Sequence, residues 1–369
     1  MRVVRGADAA RGAFRSPAVT IGIFDGVHLG HRALLEAVRG AASRHGGASV
    51  VLTFDRHPLR LFAPKKAPPA LQAPDENLAL IAASGVDGAV VLPFDEALAG
   101  TSAGTFLSDV LGEALGVRAV VLGEKFRFGK GGAGDLALVR ETGVRLGWET
   151  VVLPKVSVGG HVVSSTRIRT LIAGGKLEEA ARMLGRPYAV TGVVEPGLHL
   201  GRSLGFPTAN LRPRIPLLPP PGVYAGRVAV GVSPGVGPEG AVLSPAAPAG
   251  LAASPFHVSR AGATTGFPAG PVPGTPLAPN PAFPGEGAPW LPAVVSIGHR
   301  PTIPGVPHHK KVFEAHLPGF DGDLYGKALV VRLYRKLRDE VRFPSLDALR
   351  TRIAADVAEA LRCLDDTRL

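Results

Sequence analysis

Cysteine is almost missing: Cys363 is the only one in 369 residues, so an internal disulfide and a thiolate metal cluster are both excluded. It is expected on the core face of the last helix, near Ala360 and Leu361. Long apolar runs are missing as well. No stretch of about 18 apolar residues occurs, and no apolar leader follows Met1-Arg2. The expectation is a cytoplasmic protein with no membrane partner. Aromatic residues make up only 6%, and although 41 Lys and Arg stand against 30 Asp and Glu (net +11), they form no dense basic tract. Small anionic substrates account for that balance without nucleic acid, which is not expected as a partner.

Hydrophobic residues reach 46%, enough for real cores, and 369 residues suit two or three domains. Glycine (48) and proline (35) exceed ordinary usage. The excess gathers in residues 231–292, which hold about two-fifths of the prolines, little charge and no periodicity. A disordered, dispensable insertion is expected there. Doubling a surface loop adds only about 0.6 kcal/mol of closure free energy.

Chemistry concentrates in Thr20-Ile21-Gly22-Ile23-Phe24-Asp25-Gly26-Val27-His28-Leu29-Gly30-His31. Residues 19–24 read as a buried strand, Asp25-Gly26 as a turn, and Gly30-His31 as the opening of a helix. A helix start after such a turn presents backbone N–H groups and a positive dipole end to an anion. His28 and His31, three apart, face the same phosphate from the first turn. Two histidines capping a helix towards solvent is the plainer alternative. The complete string of Gly22, Phe24, Asp25, Gly26, His28, Gly30 and His31 favours a nucleotide site.

That string resembles the signature of the nucleotidylyltransferase superfamily, whose H-x-G-H motif holds a nucleoside triphosphate. Its surroundings are most similar to the bacterial bifunctional riboflavin kinase/FMN adenylyltransferase (FAD synthetase) family. The rest of the chain carries further motifs in the family's order. Thr53-Phe54-Asp55-Arg56-His57-Pro58 ends a second strand, and the resemblance implies His57 beside the nucleotide. Residues 123–129, Gly-Glu-Lys-Phe-Arg-Phe-Gly, resemble the loop on the flavin side, with Phe126 and Phe128 as flat faces for the ring. Lys125 departs from the neutral amide or carboxylate usual there. Either it turns to a phosphate or solvent, or that half-site is altered. Ser164-Ser165-Thr166-Arg167-Ile168-Arg169 brings hydroxyls, helix-start N–H groups and guanidinium forks to one point. It matches the family's S-S-T-x-[IV]-R, which implies Arg167 at the triphosphate, with Arg169 as second choice.

Strands and helices alternate up to residue 184, as right-handed βαβ units of a parallel sheet do. A Rossmann-like α/β nucleotidylyltransferase domain is therefore expected over 1–186. From Tyr188 the period changes to alternation. A mainly antiparallel β-barrel domain like that of riboflavin kinases, with a terminal helix over 346–364, is expected over 187–369. Leu349, Ile353, Val357 and Leu361 form that helix's core stripe.

Within the second domain, Gly197, Gly201 and Gly205 let backbone approach phosphate. Thr208 and Asn210, fixed by Pro207, supply two hard oxygens at i and i+2, which suits Mg²⁺. Gly205-Phe206-Pro207-Thr208-Ala209-Asn210 resembles the riboflavin kinase signature, and Phe206 joins the flavin contacts. Ser296-Ile297-Gly298 resembles the family's N-I-G, with Ser for Asn, and Glu314 aligns with its catalytic carboxylate. The resemblance implies two reactions using ATP: riboflavin to FMN, with Glu314 as base, and FMN to FAD, supported by His28 and His31. Partners are then riboflavin, FMN and ATP, in a monomer or weak homo-oligomer. A cytidylyltransferase or pantetheine-phosphate adenylyltransferase would lack the second domain. A basic binding module with decayed sites would bind without turnover.

Overall fold

The computed structural model describes residues 1–197, 205–231, 289–299 and 311–366. Gly201 and nearly all of the expected insertion lie outside these residues. The described chain divides into two compact units. One comprises Met1–Pro68 and Pro74–Ser164. The other comprises Pro69–Ala73 with the described parts of Ser165–Pro234 and Pro284–Leu369. Ser165 to Arg186 thus cluster with the second unit.

The first unit is built on six parallel strands: β1 (Arg2–Arg5), β2 (Ala18–Ile21), β3 (Ser49–Phe54), β4 (Gly88–Leu92), β5 (Ala119–Gly123) and β6 (Glu149–Leu153). Their order is β1-β4-β3-β2-β5-β6. The chain therefore builds outward from β2 in one direction through β3 and β4, then crosses to β5 and β6. The carboxyl ends of β2 and β5 flank this switch point, where open α/β sheets bind ligands. Strands β2 and β4 are buried along their whole length, as a parallel sheet covered on both faces requires. Val19, Ile21, Val50, Leu52, Val120 and Leu122 form its core. Helix α1 (Leu29–Arg44) follows β2 and buries Leu29, Ala33, Leu35 and Val38. Helices α2 (Pro74–Ala83) and α3 (Leu136–Leu146) complete the main elements, and the β7 (Ser157–Val158) and β8 (His161–Val162) hairpin follows β6. The spacing over 105–115 predicts an α-helix, but Phe106–Ala114 winds as a π-helix. The four- and five-residue intervals from Phe106 and Leu107 to the buried Leu111 suit that wider turn.

The second unit opens with α4 (Ser165–Ala173) and α5 (Leu177–Leu184). A closed antiparallel barrel follows, of β9 (Tyr188–Glu195), β10 (Thr208–Pro213), β11 (Gly222–Val230), β12 (Leu291–His299), β13 (Lys311–His316) and β14 (Ala328–Arg338). Its order is β10-β13-β12-β11-β14-β9, and the β9–β10 pairing closes it and removes the sheet edges. Helix α6 (Leu346–Asp366) buries Ala360 and Leu364 against Val223, Ala225 and Val294. The expected apolar stripe is rotated. Leu361 is 36% exposed, because the buried face also carries Asp356, clamped by Arg338 and Arg352. Cys363 is half-buried and packs with Ala360 as expected. The Pro- and Lys-bearing spacing of 65–73 predicts a mobile loop, but the stretch ends buried at Leu71, Gln72 and Ala73. Arg169 Nε donates to the Pro69 carbonyl (2.7 Å) and Arg186 Nη2 to Gln72 Oε1 (2.8 Å).

Candidate active sites

In the first unit the chain leaves β2 through a strained turn. Phe24 and Val27 adopt φ of 51° and 36°, and Gly26 a φ of 84°. Bulky residues in the left-handed region cost about 1–2 kcal/mol each and persist only where their surroundings hold them. The Phe24 ring is fully buried, Asp25 and Val27 are buried, and the Gly26 N–H donates to Asn77 Oδ1 of α2 (2.9 Å). A Cβ on Gly22 would stand 3.2 Å from the Phe24 ring, and one on Gly30 3.1 Å from His28 Cε1. Both glycines are thus explained by the rings packed over them.

His28 caps α1. Its Nδ1 accepts the His31 N–H at 3.2 Å. With Nδ1 an acceptor, the ring hydrogen of the neutral tautomer sits on Nε2, which is then a donor. The two imidazoles stack at 3.7 Å with 13° between planes, and Phe24 lies 5.0 Å from His31. Two stacked donors beside a helix N-terminus make an anion-binding face. Arg32, passed over by motif reasoning, adds a largely buried cation in the same turn. Burial pushes its guanidinium down to about 10, with Glu36 opposing. The signal was simply a basic residue directly after the motif.

His57 also accepts at Nδ1, from the Leu59 N–H (3.1 Å). Asp55 caps the end of β3: its Oδ1 accepts the Phe94 N–H (2.8 Å), and it pairs with Arg56 (2.9 Å). Beside it, Phe62 is 64% exposed and stands edge-on to Phe94 (6.1 Å), which stands edge-on to Phe54 (5.5 Å). This apolar platform was not foreseen. An aromatic on the helical turn after His57-Pro58 was its only signal.

After β5, Phe126 and Phe128 stack on each other (5.4 Å, 18°), Phe128 also meets Phe106 (5.8 Å), and both pack against the sheet's core cluster. Lys125 is exposed. Lys155, by hydrogen bond and charge, pushes its ammonium below the usual value, while Glu124 opposes. Lys155 Nζ in turn lies 3.5 Å from Glu124 Oε1.

In the second unit, Ser165, Thr166 and Arg167 form the first turn of α4, directly after Ser164. Arg167 is half-buried. In the barrel, register aligns the kinase-like residues. Asn210 pairs with Glu314 and Thr208 with His316 between β10 and β13, while Ser296 pairs with Glu314 across β12. Ala209, Phe313 and Ala315 are buried, and Thr208, Asn210, Ser296 and Glu314 share the alternate, half-buried face. A Cβ on Gly197 would overlap the Asn210 amide, lying 2.6 Å from its Cγ. Gly205 takes a φ of 85° ahead of the half-buried Phe206. Hydroxyl and amide oxygens on one strand face fit a hard cation that keeps most of its coordination for phosphate and water. Among the described residues no cluster of three His, Cys, Asp or Glu forms a metal cage, and no helix is long and apolar enough to cross a membrane.

Comparison with known proteins follows the same division. A family model described as FAD synthetase matches residues 11–167, and one described as riboflavin kinase matches 184–364. The chain is 34% identical over 357 residues to the bifunctional riboflavin kinase/FMN adenylyltransferase of Escherichia coli K12, covering 96% of each chain. It is 34% identical to that of Pseudomonas fluorescens (98% of this chain, 97% of the relative) and 30% identical to that of Haemophilus influenzae (98% of both). A solved structure described as a macrolide-efflux protein from Streptococcus pneumoniae shares the fold, with a TM-score of 0.71, 23% identity and coverage of 96% and 97%.

Proposed function

Because this chain belongs to the bifunctional riboflavin kinase/FMN adenylyltransferase family, we propose which of its residues carry each of the two reactions. The chain phosphorylates riboflavin to FMN with ATP, then joins FMN to the AMP of a second ATP, giving FAD and pyrophosphate. Residues 1–186 form the adenylyltransferase domain and 187–369 the kinase domain.

In the kinase, Glu314 accepts the proton of the riboflavin ribityl hydroxyl. That oxygen forms its bond to the γ-phosphorus as the bond to the β–γ bridging oxygen breaks and ADP leaves. Thr208 and Asn210 hold Mg²⁺, which when bound offsets charge on the transferring phosphoryl group. Gly197, Gly201 and Gly205 admit the ATP phosphates, and Phe206 meets the flavin. The supporting observation is the register that aligns Asn210 and Ser296 with Glu314 on one barrel face.

In the adenylyltransferase, a phosphate oxygen of FMN attacks the α-phosphorus and pyrophosphate departs with its electron pair. His28, His31 and the α1 N-terminus stabilise the growing charge, and Gly22, Phe24, Asp25, Gly26, Gly30 and His57 shape the nucleotide pocket. Ser164, Ser165, Thr166 and Arg167 bind the triphosphate, while Lys125, Phe126 and Phe128 face the flavin. The enzyme works in the cytoplasm, without nucleic acid or membrane, as a monomer or weak homo-oligomer.

Chromatographic separation of flavins from riboflavin, ATP and Mg²⁺ over time tests the assignment. Glu314→Gln should make no FMN yet still convert supplied FMN to FAD, and His31→Ala should stop at FMN. A folded variant that lost both activities would break the division.

A further inference from the structure

On the reading that Thr208 and Asn210 hold the kinase's cation, we propose that His316 is a positioning residue for that site. It fixes the Pro207 carbonyl, and through it the Thr208 hydroxyl. His316 ends β13 directly opposite Thr208 in register, two residues beyond Glu314 on the same face. Its ring is buried, at 9% exposure, with Nδ1 2.8 Å from the Pro207 carbonyl oxygen. A carbonyl only accepts, so Nδ1 carries the hydrogen and the tautomer is set. The Phe206 ring stands edge-on to the imidazole at 5.4 Å and 81°, gripping it from the preceding residue.

This grip sits where the strand is least able to hold itself. Pro207 has no N–H to donate to a ladder, and Gly205 two residues before it takes a left-handed φ of 85°. Pairing of β10 with β13 starts only at Thr208. The His316 hydrogen bond therefore ties down the last carbonyl before the first oxygen of the metal pair. Losing it leaves Thr208 in its strand but frees the turn that sets its hydroxyl. A small loosening of a cation ligand that holds the metal–nucleotide equally in ground and transition state shows as weaker binding, with kcat unchanged.

The test compares His316→Leu, which removes the donor, with His316→Asn, whose amide N–H occupies the Nδ1 position. Full-length proteins are assayed for riboflavin kinase KM and kcat with ATP and Mg²⁺, and for Mg²⁺-dependent ADP affinity by calorimetry. FMN adenylylation by the other unit reports an intact chain. His316→Leu should raise KM and weaken ADP binding by about tenfold, the worth of one such hydrogen bond, with kcat and adenylylation little changed. His316→Asn should recover most of the affinity. Leu and Asn variants behaving alike, whether both wild-type or both impaired, would overturn the proposal. Should His316→Leu fail to fold, His316→Gln, which carries its amide one bond too far out, replaces it. Thr208→Val run in parallel separates the premises. If it leaves Mg²⁺-dependent ADP binding intact, the metal assignment fails, while the Leu–Asn contrast still decides the role of His316.

Discussion

Gly197→Ala offers a sharp test of the kinase site, because it adds one methyl group and no charge. The new Cβ would stand 2.6 Å from Asn210 Cγ and 3.0 Å from its Oδ1. Ordinary contact starts at 3.4 Å and the amide nitrogen lies nearest of all, so the amide has to move by at least about 1 Å. It lies at the end of a rotatable side chain, so the fold absorbs the shift for about 0.5–1.5 kcal/mol of off-rotamer strain. The site does not absorb it: displacing a reacting or ligating atom by about 1 Å costs on the order of 10²-fold in rate. Phosphorylation of riboflavin should therefore fall about 10²-fold while conversion of supplied FMN to FAD continues. Both are read in one flavin assay, with a thermal melt beside it. Undiminished kinase activity in Gly197→Ala would refute the placement of Asn210 at the metal. Equal loss of both activities would show damage to folding instead.

Three other outcomes follow from the geometry. Asp356→Ala removes a 2%-exposed carboxylate from Arg338 (2.6 Å) and Arg352 (2.9 Å), and should destabilise the barrel unit by about 3 kcal/mol in denaturant melts; a change below about 1 kcal/mol would refute it. Burial works to raise the Asp55 carboxyl, but the Arg56 hydrogen bonds and the Phe94 N–H outweigh it and hold the group below the usual carboxylate range. A depressed folded value gives stability that is present above the unfolded value and lost as pH falls through the folded one. Asp55→Asn should thus cost about 1 kcal/mol at neutral pH and melt with a flatter pH dependence below about pH 4; parallel wild-type and variant curves would count against it. Lys125→Asn restores the family's neutral amide and should raise kcat/KM for FMN adenylylation without touching riboflavin phosphorylation. An unchanged value would put Lys125 outside the flavin contact.

The sequence was most legible where a period or a motif repeated a physical constraint. The buried strands β2, β3 and β5 announced themselves as short apolar runs, and the change to alternation at Tyr188 marked the barrel. Less visible were elements whose stability comes from neighbours. Strand β1 has only Val3 and Val4 between two arginines and forms because β4 offers it an edge. Helix α6 was placed correctly, yet its apolar spacing pointed to Leu361, since Asp356 does not look like a core residue until Arg338 and Arg352 surround it. At the candidate sites, Gly22, Gly30 and Gly197 stood out as motif glycines. That each makes room for a particular ring or amide is visible only in the folded chain. Strand alternation put His316 on the face of Glu314, but its hold on Pro207, like the burial of Arg32 and the stacking of Phe62, comes from packing that no motif encodes.

The two proposed sites act on successive forms of one flavin with different equipment, and the nucleophiles explain why. The phosphate of FMN has its second ionisation near pH 6, so at neutral pH it is largely a dianion and ready to attack. An adenylyltransferase site then needs cations and N–H donors to bring two anions together. His28, His31, Arg32 and the α1 N-terminus are of that kind. The ribityl hydroxyl of riboflavin keeps its proton at neutral pH, so a kinase site needs an acceptor for it, and Glu314 faces Asn210 and Ser296 where such an acceptor would serve. Asp25 is buried in the turn before α1, but no step of the proposed adenylylation calls on it as a base. The contrast between a face of donors after β2 and a carboxylate among hard oxygens on the barrel is thus what two phosphate transfers with unlike nucleophiles require.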